Sequence, residues 1–184
     1  MAVNPAEDIV NVWLQENLGY FTRQNVNVAK TKRIVNGKNI FGGKGKEIDI
    51  LGIKTTGERI WVEVTVSPNP YLARTDEQVT KMVDTVKGKF HIEKENEVKR
   101  LFNNKSFHKM FVYSKRVFSG AKEDKIGLFS ESVKELDVEL VEFERVLNET
   151  VAKLSYYSVD PTRIYLYYAK FYLQPKVLKP ASNP

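Results

Sequence analysis

Between Lys46 and Ser67 the chain reads Lys-Glu-Ile-Asp-Ile-Leu-Gly, a short turn, and then Arg-Ile-Trp-Val-Glu-Val-Thr-Val-Ser. The two apolar segments are joined by a glycine-containing turn and have the character of adjacent strands. Side chains in a strand alternate between faces. The pattern therefore predicts Glu47 and Asp49 on one face, with Ile48 and Ile50 on the other. In the second segment Val62, Val64 and Val66 share a face, and Glu63 and Thr65 share the opposite one. Carboxylates in the middle of strands this apolar are costly to bury without compensation. A divalent cation is the simplest compensation, and it would give the strands a chemical task.

The elements around this hairpin predict a layered α/β domain. Asn4-Pro5-Ala6-Glu7 reads as a helix start, with Asn as cap, Pro at the first helical position and Glu as the partner of a capping box. Ile9, Val10, Trp13, Leu14 and Leu18 follow at helical spacing, and Gly19 reads as the stop. Strand character runs from Tyr20 to Ala29. Asn36-Gly37 signals a hairpin turn between 33–35 and 39–41. Gly42-Gly43-Lys44-Gly45 lacks the ending of a phosphate-binding loop. Thr75-Asp76-Glu77-Gln78 is a second capping box, followed by the stripe Val79, Met82, Val83, Val86 and Phe90. Residues 91–106 are highly charged and read as an extension of that helix or a solvated excursion. Phe107–Tyr113 and Val138–Phe143 read as strands, and 122–136 and about 145–155 as helices. Tyr165, Tyr167, Tyr168, Phe171 and Tyr172 then fall in an aromatic-rich helix after Asp160-Pro161. That composition suits packing on the domain's own core or a homodimer interface. The expected division is one domain over 1–174 and a loose tail over 175–184, which carries three prolines.

Composition narrows the partners. The chain has 184 residues, 42% hydrophobic and 28% charged, as expected of one folded domain. No apolar run reaches the ~18–20 residues of a membrane span, and no charged-then-apolar leader opens the sequence, so an intracellular location is expected. The absence of cysteine removes disulfides, thiolate metal sites and cysteine nucleophiles. A formal net charge of +6 suits a polyanionic partner. Lys30, Lys32 and Arg33, continued by Lys38, Lys44 and Lys46, cluster ahead of the acidic strands and read as a cradle for a phosphate backbone. His91 and His108 have no ligand partner nearby in sequence.

The acid-apolar-Asp-apolar strand, the hairpin, and the strand carrying apolar-Glu-apolar resemble the PD-(D/E)xK nuclease superfamily, which includes restriction enzymes and archaeal Holliday-junction resolvases. The motif covers about a tenth of the chain. The resemblance implies a restriction-endonuclease-like α/β fold with a central mixed sheet flanked by helices. It implies a metal-dependent DNA endonuclease using Mg2+ or Mn2+, and relatives often act as dimers. Asp49 matches the first acid, Glu63 the second, and Val64 the residue whose carbonyl joins the metal shell. A first-helix acid faces the sheet in some relatives. Glu7 is the match here, unless it serves only its own helix terminus, with Glu16 as the alternative. Glu47 reads as a supporting acid. Thr65 stands where the family has its lysine, and three readings follow. The lysine's role has moved, with Lys44, Lys46 and Lys81 as candidates; Thr65 and the metal suffice; or the site is dead and the protein only binds DNA.

Overall fold

The computed structural model describes residues 4–28, 32–35, 38–41, 47–66, 73–118 and 123–153. Helix α1 (Pro5–Glu16) is followed by β1 (Phe21–Asn27), β2 (Lys32–Val35), β3 (Lys38–Phe41), β4 (Glu47–Ile53) and β5 (Arg59–Thr65). Helices α2 (Asp76–Lys89) and α3 (Ile92–Leu101) lead to β6 (His108–Tyr113). A short 3-10 helix (Lys115–Phe118) and α4 (Glu123–Lys134) precede β7 (Glu139–Glu142) and α5 (Phe143–Lys153).

Five strands form one mixed sheet in the order β1-β4-β5-β6-β7. β1, β4 and β5 pair antiparallel, whereas β5, β6 and β7 are parallel and joined by the helical crossovers that parallel pairing requires. α1 and α5 cover one face. There Val10, Trp13, Leu14 and Val146 pack on Ile50, Val62, Val64, Met110 and Val112. The other face receives Val79, Met82, Val83 and Val86 of α2 and Phe129 and Val133 of α4, against Phe111 and Tyr113. A third cluster joins Val98 of α3 to Val26, Ile48, Leu51 and Trp61. The protein is thus an α/β domain with a five-stranded mixed sheet between helical layers. No helix among the described residues is long and apolar enough to cross a membrane.

Local chemistry accounts for the element ends. The Asn4 side chain accepts from the Ala6 N–H and caps α1. The expected reciprocal contact differs, because Glu7 instead accepts from the Asn4 amide side chain. At α2 the capping box forms in full: Thr75 Oγ1 accepts from Gln78 N, and Gln78 Oε1 accepts from Thr75 N. The charged 91–106 stretch does not extend α2. Phe90 breaks the helix, His91 caps α3, and the chain turns.

The β2–β3 hairpin forms as expected, in a two-stranded sheet of its own. One expectation needs correction: the regular alternation across Glu47–Ile50 fails. Ile50 packs on the α1 face, but Ile48 joins Trp61 and Val98 on the other side. The cause lies in the ladder. β1 pairs with β4 at Gln24–Ile50 and again at Val26–Ile48, stepping over Asn25 and Asp49. Asn25 adopts φ +52°, a left-handed conformation that asparagine tolerates better than most residues. The Tyr-rich segment, the tail and the positions of Lys30, Lys44 and Lys46 lie outside the described residues.

Candidate functional site

The β4–β5 ladder runs from Ile53–Arg59 to Ile50–Val62 and records no pair beyond it. Past that point the strands part, and the Asp49 carboxylate enters the gap. Its Oδ2 accepts from the Val64 N–H at 2.8 Å, replacing a lost cross-strand carbonyl. Asp49 is 6% exposed and Glu63 fully buried. The structure therefore brings together Asp49, Glu63 and Val64, with Val64 entering through its N–H.

Both carboxylates are met by lysines from the α2–α3 corner. Lys89, the last residue of α2, places Nζ 2.8 Å from Asp49 Oδ2 and 3.3 Å from Glu63 Oε2. Lys94, in the first turn of α3, reaches Glu63 Oε1 at 2.8 Å and is itself buried. The Trp61 indole N–H also donates to Oε1, at 2.8 Å. The corner residue Phe90, between the two lysine-bearing helices, packs edge-on against Trp61 with ring centroids 4.8 Å apart. Glu63 Oε2 is buried without a hydrogen bond, the Lys89 ammonium lying close by but out of bonding geometry. That oxygen is held by an ion pair alone, whereas Oε1 accepts two hydrogen bonds.

Burial, reinforced by the Asp49 charge, pushes the Glu63 carboxyl up to about 7 despite Lys89 and Lys94. Burial alone would favour neutral Lys89, but Asp49 and Glu63 more than offset it and raise its affinity for the proton.

Glu7 reaches the same region from α1. Burial and then the charge of Asp49 raise its carboxyl above the ordinary range. Asn4 donates to one of its oxygens. With its amide nitrogen turned toward the acids, the orientation that satisfies both ends, Asn25 donates to Glu7 Oε2 and Glu47 Oε1 at 3.3 Å each. The irregular Asn25 thus ties α1 to the mouth of the acidic gap. Four carboxylates (Glu7, Glu47, Asp49 and Glu63) stand against two ammonium groups. The raised carboxyls of Glu63 and Glu7 show that the two ammonium groups do not fully offset the burial and mutual repulsion of these acids.

Among the described residues no group of three or more acids or histidines lies close enough to hold one ion. An ion here would take Asp49 and Glu63 as protein carboxylates and complete its shell with main-chain oxygen and water, as magnesium commonly does. The oxygen-only donor set is of the kind Mg2+ or Mn2+ takes, and Glu63 Oε2, which accepts no hydrogen bond and faces only the Lys89 ammonium among its named partners, is the oxygen that would reach the ion.

The remaining expected residues separate clearly. Thr65 sits at the end of β5, half-buried, on the rim of an open cavity of about 550 Å3 lined also by Pro5, Ala6, Ile9, Val66 and Phe143. Lys81 lies on the solvent face of α2 with its ammonium paired to Glu77 at 2.7 Å. Being exposed and turned from the sheet, it does not join the acids. Glu16 is exposed at the far end of α1. The side chains of Lys32 and Arg33, like Lys30, Lys44 and Lys46, fall outside the described residues.

Lys89 and Lys94 are the residues that sequence reasoning passed over. The signal was present. Lys89 follows Val86 by three and Met82 by seven, on the apolar stripe of α2. Lys94 precedes Val98 by four and Leu101 by seven on α3. Lysines at core positions of amphipathic helices are rarely buried unless paired.

No protein family, curated protein or solved structure matches this chain.

Proposed function

We propose that the protein is a metal-dependent DNA endonuclease of the PD-(D/E)xK type, with a restriction-endonuclease-like fold and its active site where β4 and β5 part. The observation that carries this reading is the buried Asp49–Glu63 pair at the strand gap, with one Glu63 oxygen left without a hydrogen bond. The element order supports it: a helix, antiparallel strands bearing the acids, then helical crossovers to parallel strands.

Asp49, Glu63 and the Val64 main chain would hold Mg2+ or Mn2+. When bound, such an ion activates water and relieves charge on phosphate and leaving oxygen. The reaction adds water across a phosphodiester: a new P–O bond forms, the P–O bond to one sugar breaks, and that sugar oxygen takes a proton. Lys89 fills the part left vacant by Thr65. Its ammonium already faces both acids and has a further N–H to hold the attacking water or the charge growing on the phosphoryl oxygens. Glu7, steadied by Asn4 and Asn25, holds water beside Asp49. Lys30, Lys32, Arg33, Lys44 and Lys46 would follow the DNA backbone, and a homodimer would offer two sites to two strands.

A second reading rests on the same lysine. Because Lys89 stands between the carboxylates, the gap already contains a cation. In a protein that only binds DNA, that ion pair would be the end state. Cleavage of labelled single-stranded, duplex, flap and four-way-junction DNA in Mg2+ or Mn2+, beside Glu63→Ala, decides between them. Metal-dependent cutting lost in the variant supports the nuclease. Binding of DNA without cutting by either protein supports the second reading.

A further inference from the structure

We propose that Lys94 and Trp61 form a clamp that makes Glu63 a one-oxygen ligand, so that the site favours a small octahedral ion over Ca2+. This rests on the metal-site reading above. Each oxygen of Glu63 has a different fate. Oε1 accepts two donors at 2.8 Å, the Lys94 ammonium and the Trp61 indole N–H, and so is saturated. Oε2 accepts no hydrogen bond and lies on the side of Lys89 and Asp49.

Neither donor is free to leave. Trp61 is fully buried, two residues before Glu63 on the same face of β5, and wedged by Phe90 at 4.8 Å and Phe107 at 6.1 Å. Lys94 is 6% exposed on a helix whose Val98 belongs to the same cluster as Trp61. Withdrawing either donor would strand a buried polar group. Turning the carboxylate to present both oxygens to one ion would break both contacts at once.

Calcium takes roughly 6–8 oxygens and commonly uses bidentate carboxylates, whereas magnesium is satisfied by one oxygen per carboxylate and retained water. A glutamate locked to one oxygen therefore holds down the coordination number. Lys94 and Trp61 are positioning residues here: they act on the ion only through Glu63.

The test is calorimetric titration of the full chain with Mg2+, Mn2+ and Ca2+ in separate runs, for wild type, Trp61→Phe, Lys94→Gln and Lys94→Met. Trp61→Phe keeps the ring and deletes only the donor. Lys94→Gln restores a neutral donor if Lys94→Met fails to fold. The expected result is wild-type preference for Mg2+ and Mn2+ over Ca2+. Trp61→Phe and Lys94→Met should shift that ratio toward Ca2+ by roughly 10-fold or more, the scale of contacts made to a metal ligand. Lys94→Gln should fall between. A wild type that binds Mg2+ with a ratio unchanged in every folded variant overturns the clamp and leaves the metal site standing. A wild type that binds none of the three ions overturns both.

Discussion

Glu58 and Glu63 stand five residues apart at opposite ends of the same β-hairpin, with nearly the same partners. Glu58 accepts from the Tyr20 hydroxyl at 2.5 Å and the Lys54 ammonium at 2.9 Å. Glu63 accepts from the Trp61 indole and the Lys94 ammonium at 2.8 Å each. Yet they move in opposite directions. The Tyr20 hydrogen bond, followed by Lys54, holds the Glu58 carboxyl below its ordinary value. Burial and then Asp49 push Glu63 up to about 7. The donors do not explain the difference. Water does: the Glu58 side chain is 40% exposed, whereas Glu63 is closed off beside a second acid. One end is a solvated ion pair that steadies a turn. The other stores a cost that a bound cation would relieve.

The largest effect should come from breaking the buried end. Lys94→Met removes the nearer of the two ammonium groups beside a buried carboxylate and should lower stability by about 3–5 kcal/mol in urea unfolding. Lys54→Met should cost under about 1 kcal/mol. If Lys94 acts only through Glu63, adding Glu63→Gln to Lys94→Met should recover much of the loss.

Next comes Lys89→Ala: if the protein is the nuclease proposed above, this change should slow metal-dependent cleavage by roughly 10²-fold, about 2.7 kcal/mol. Lys81→Ala, on the solvent side of the same helix, should leave the initial rate unchanged. Equal losses in both would remove Lys89 from the site.

Smaller again is the pH effect. The folded Glu63 pKa lies above its unfolded value, so between the two the folded chain binds more protons. Stability of the metal-free protein should then fall as pH rises, by about 2 kcal/mol from about pH 5 to about pH 7. Glu63→Gln should flatten that slope in thermal melts with chelator. Glu58→Gln should not, because its depressed pKa contributes in the opposite sense, with loss as pH falls. The smallest effect is Glu58→Ala itself, expected to change unfolding stability by less than about 1 kcal/mol.

Much of this architecture is legible in the sequence because it follows from local periodicity. The α1 stripe, the Thr75–Gln78 box, the two acidic strands and the later strand–helix alternation all appear where spacing puts them. The interruption of the β1–β4 ladder was not legible. Alternation assumes an unbroken ladder, and only three-dimensional pairing reveals that Asn25 and Asp49 are stepped over. The separate β2–β3 sheet is hidden for the same reason, since a hairpin signal fixes a turn and not a neighbour. Lys81 lies one turn into α2, the helix that follows the second acidic strand. The helical stripe instead selects Lys89, two turns later, and the Phe90 corner brings Lys94 to the same carboxylate. Helical phase, not sequence distance, locates the lysine that meets both Asp49 and Glu63.

The most direct measurement of the central claim is Mn2+ binding followed by electron paramagnetic resonance in wild type, Glu63→Gln, Asp49→Asn and Glu58→Gln. The account predicts that wild type and Glu58→Gln take up the ion alike, and that Glu63→Gln and Asp49→Asn lose it. Uptake unchanged in all four proteins, or no uptake by the wild type, would contradict a metal site at the open end of the hairpin.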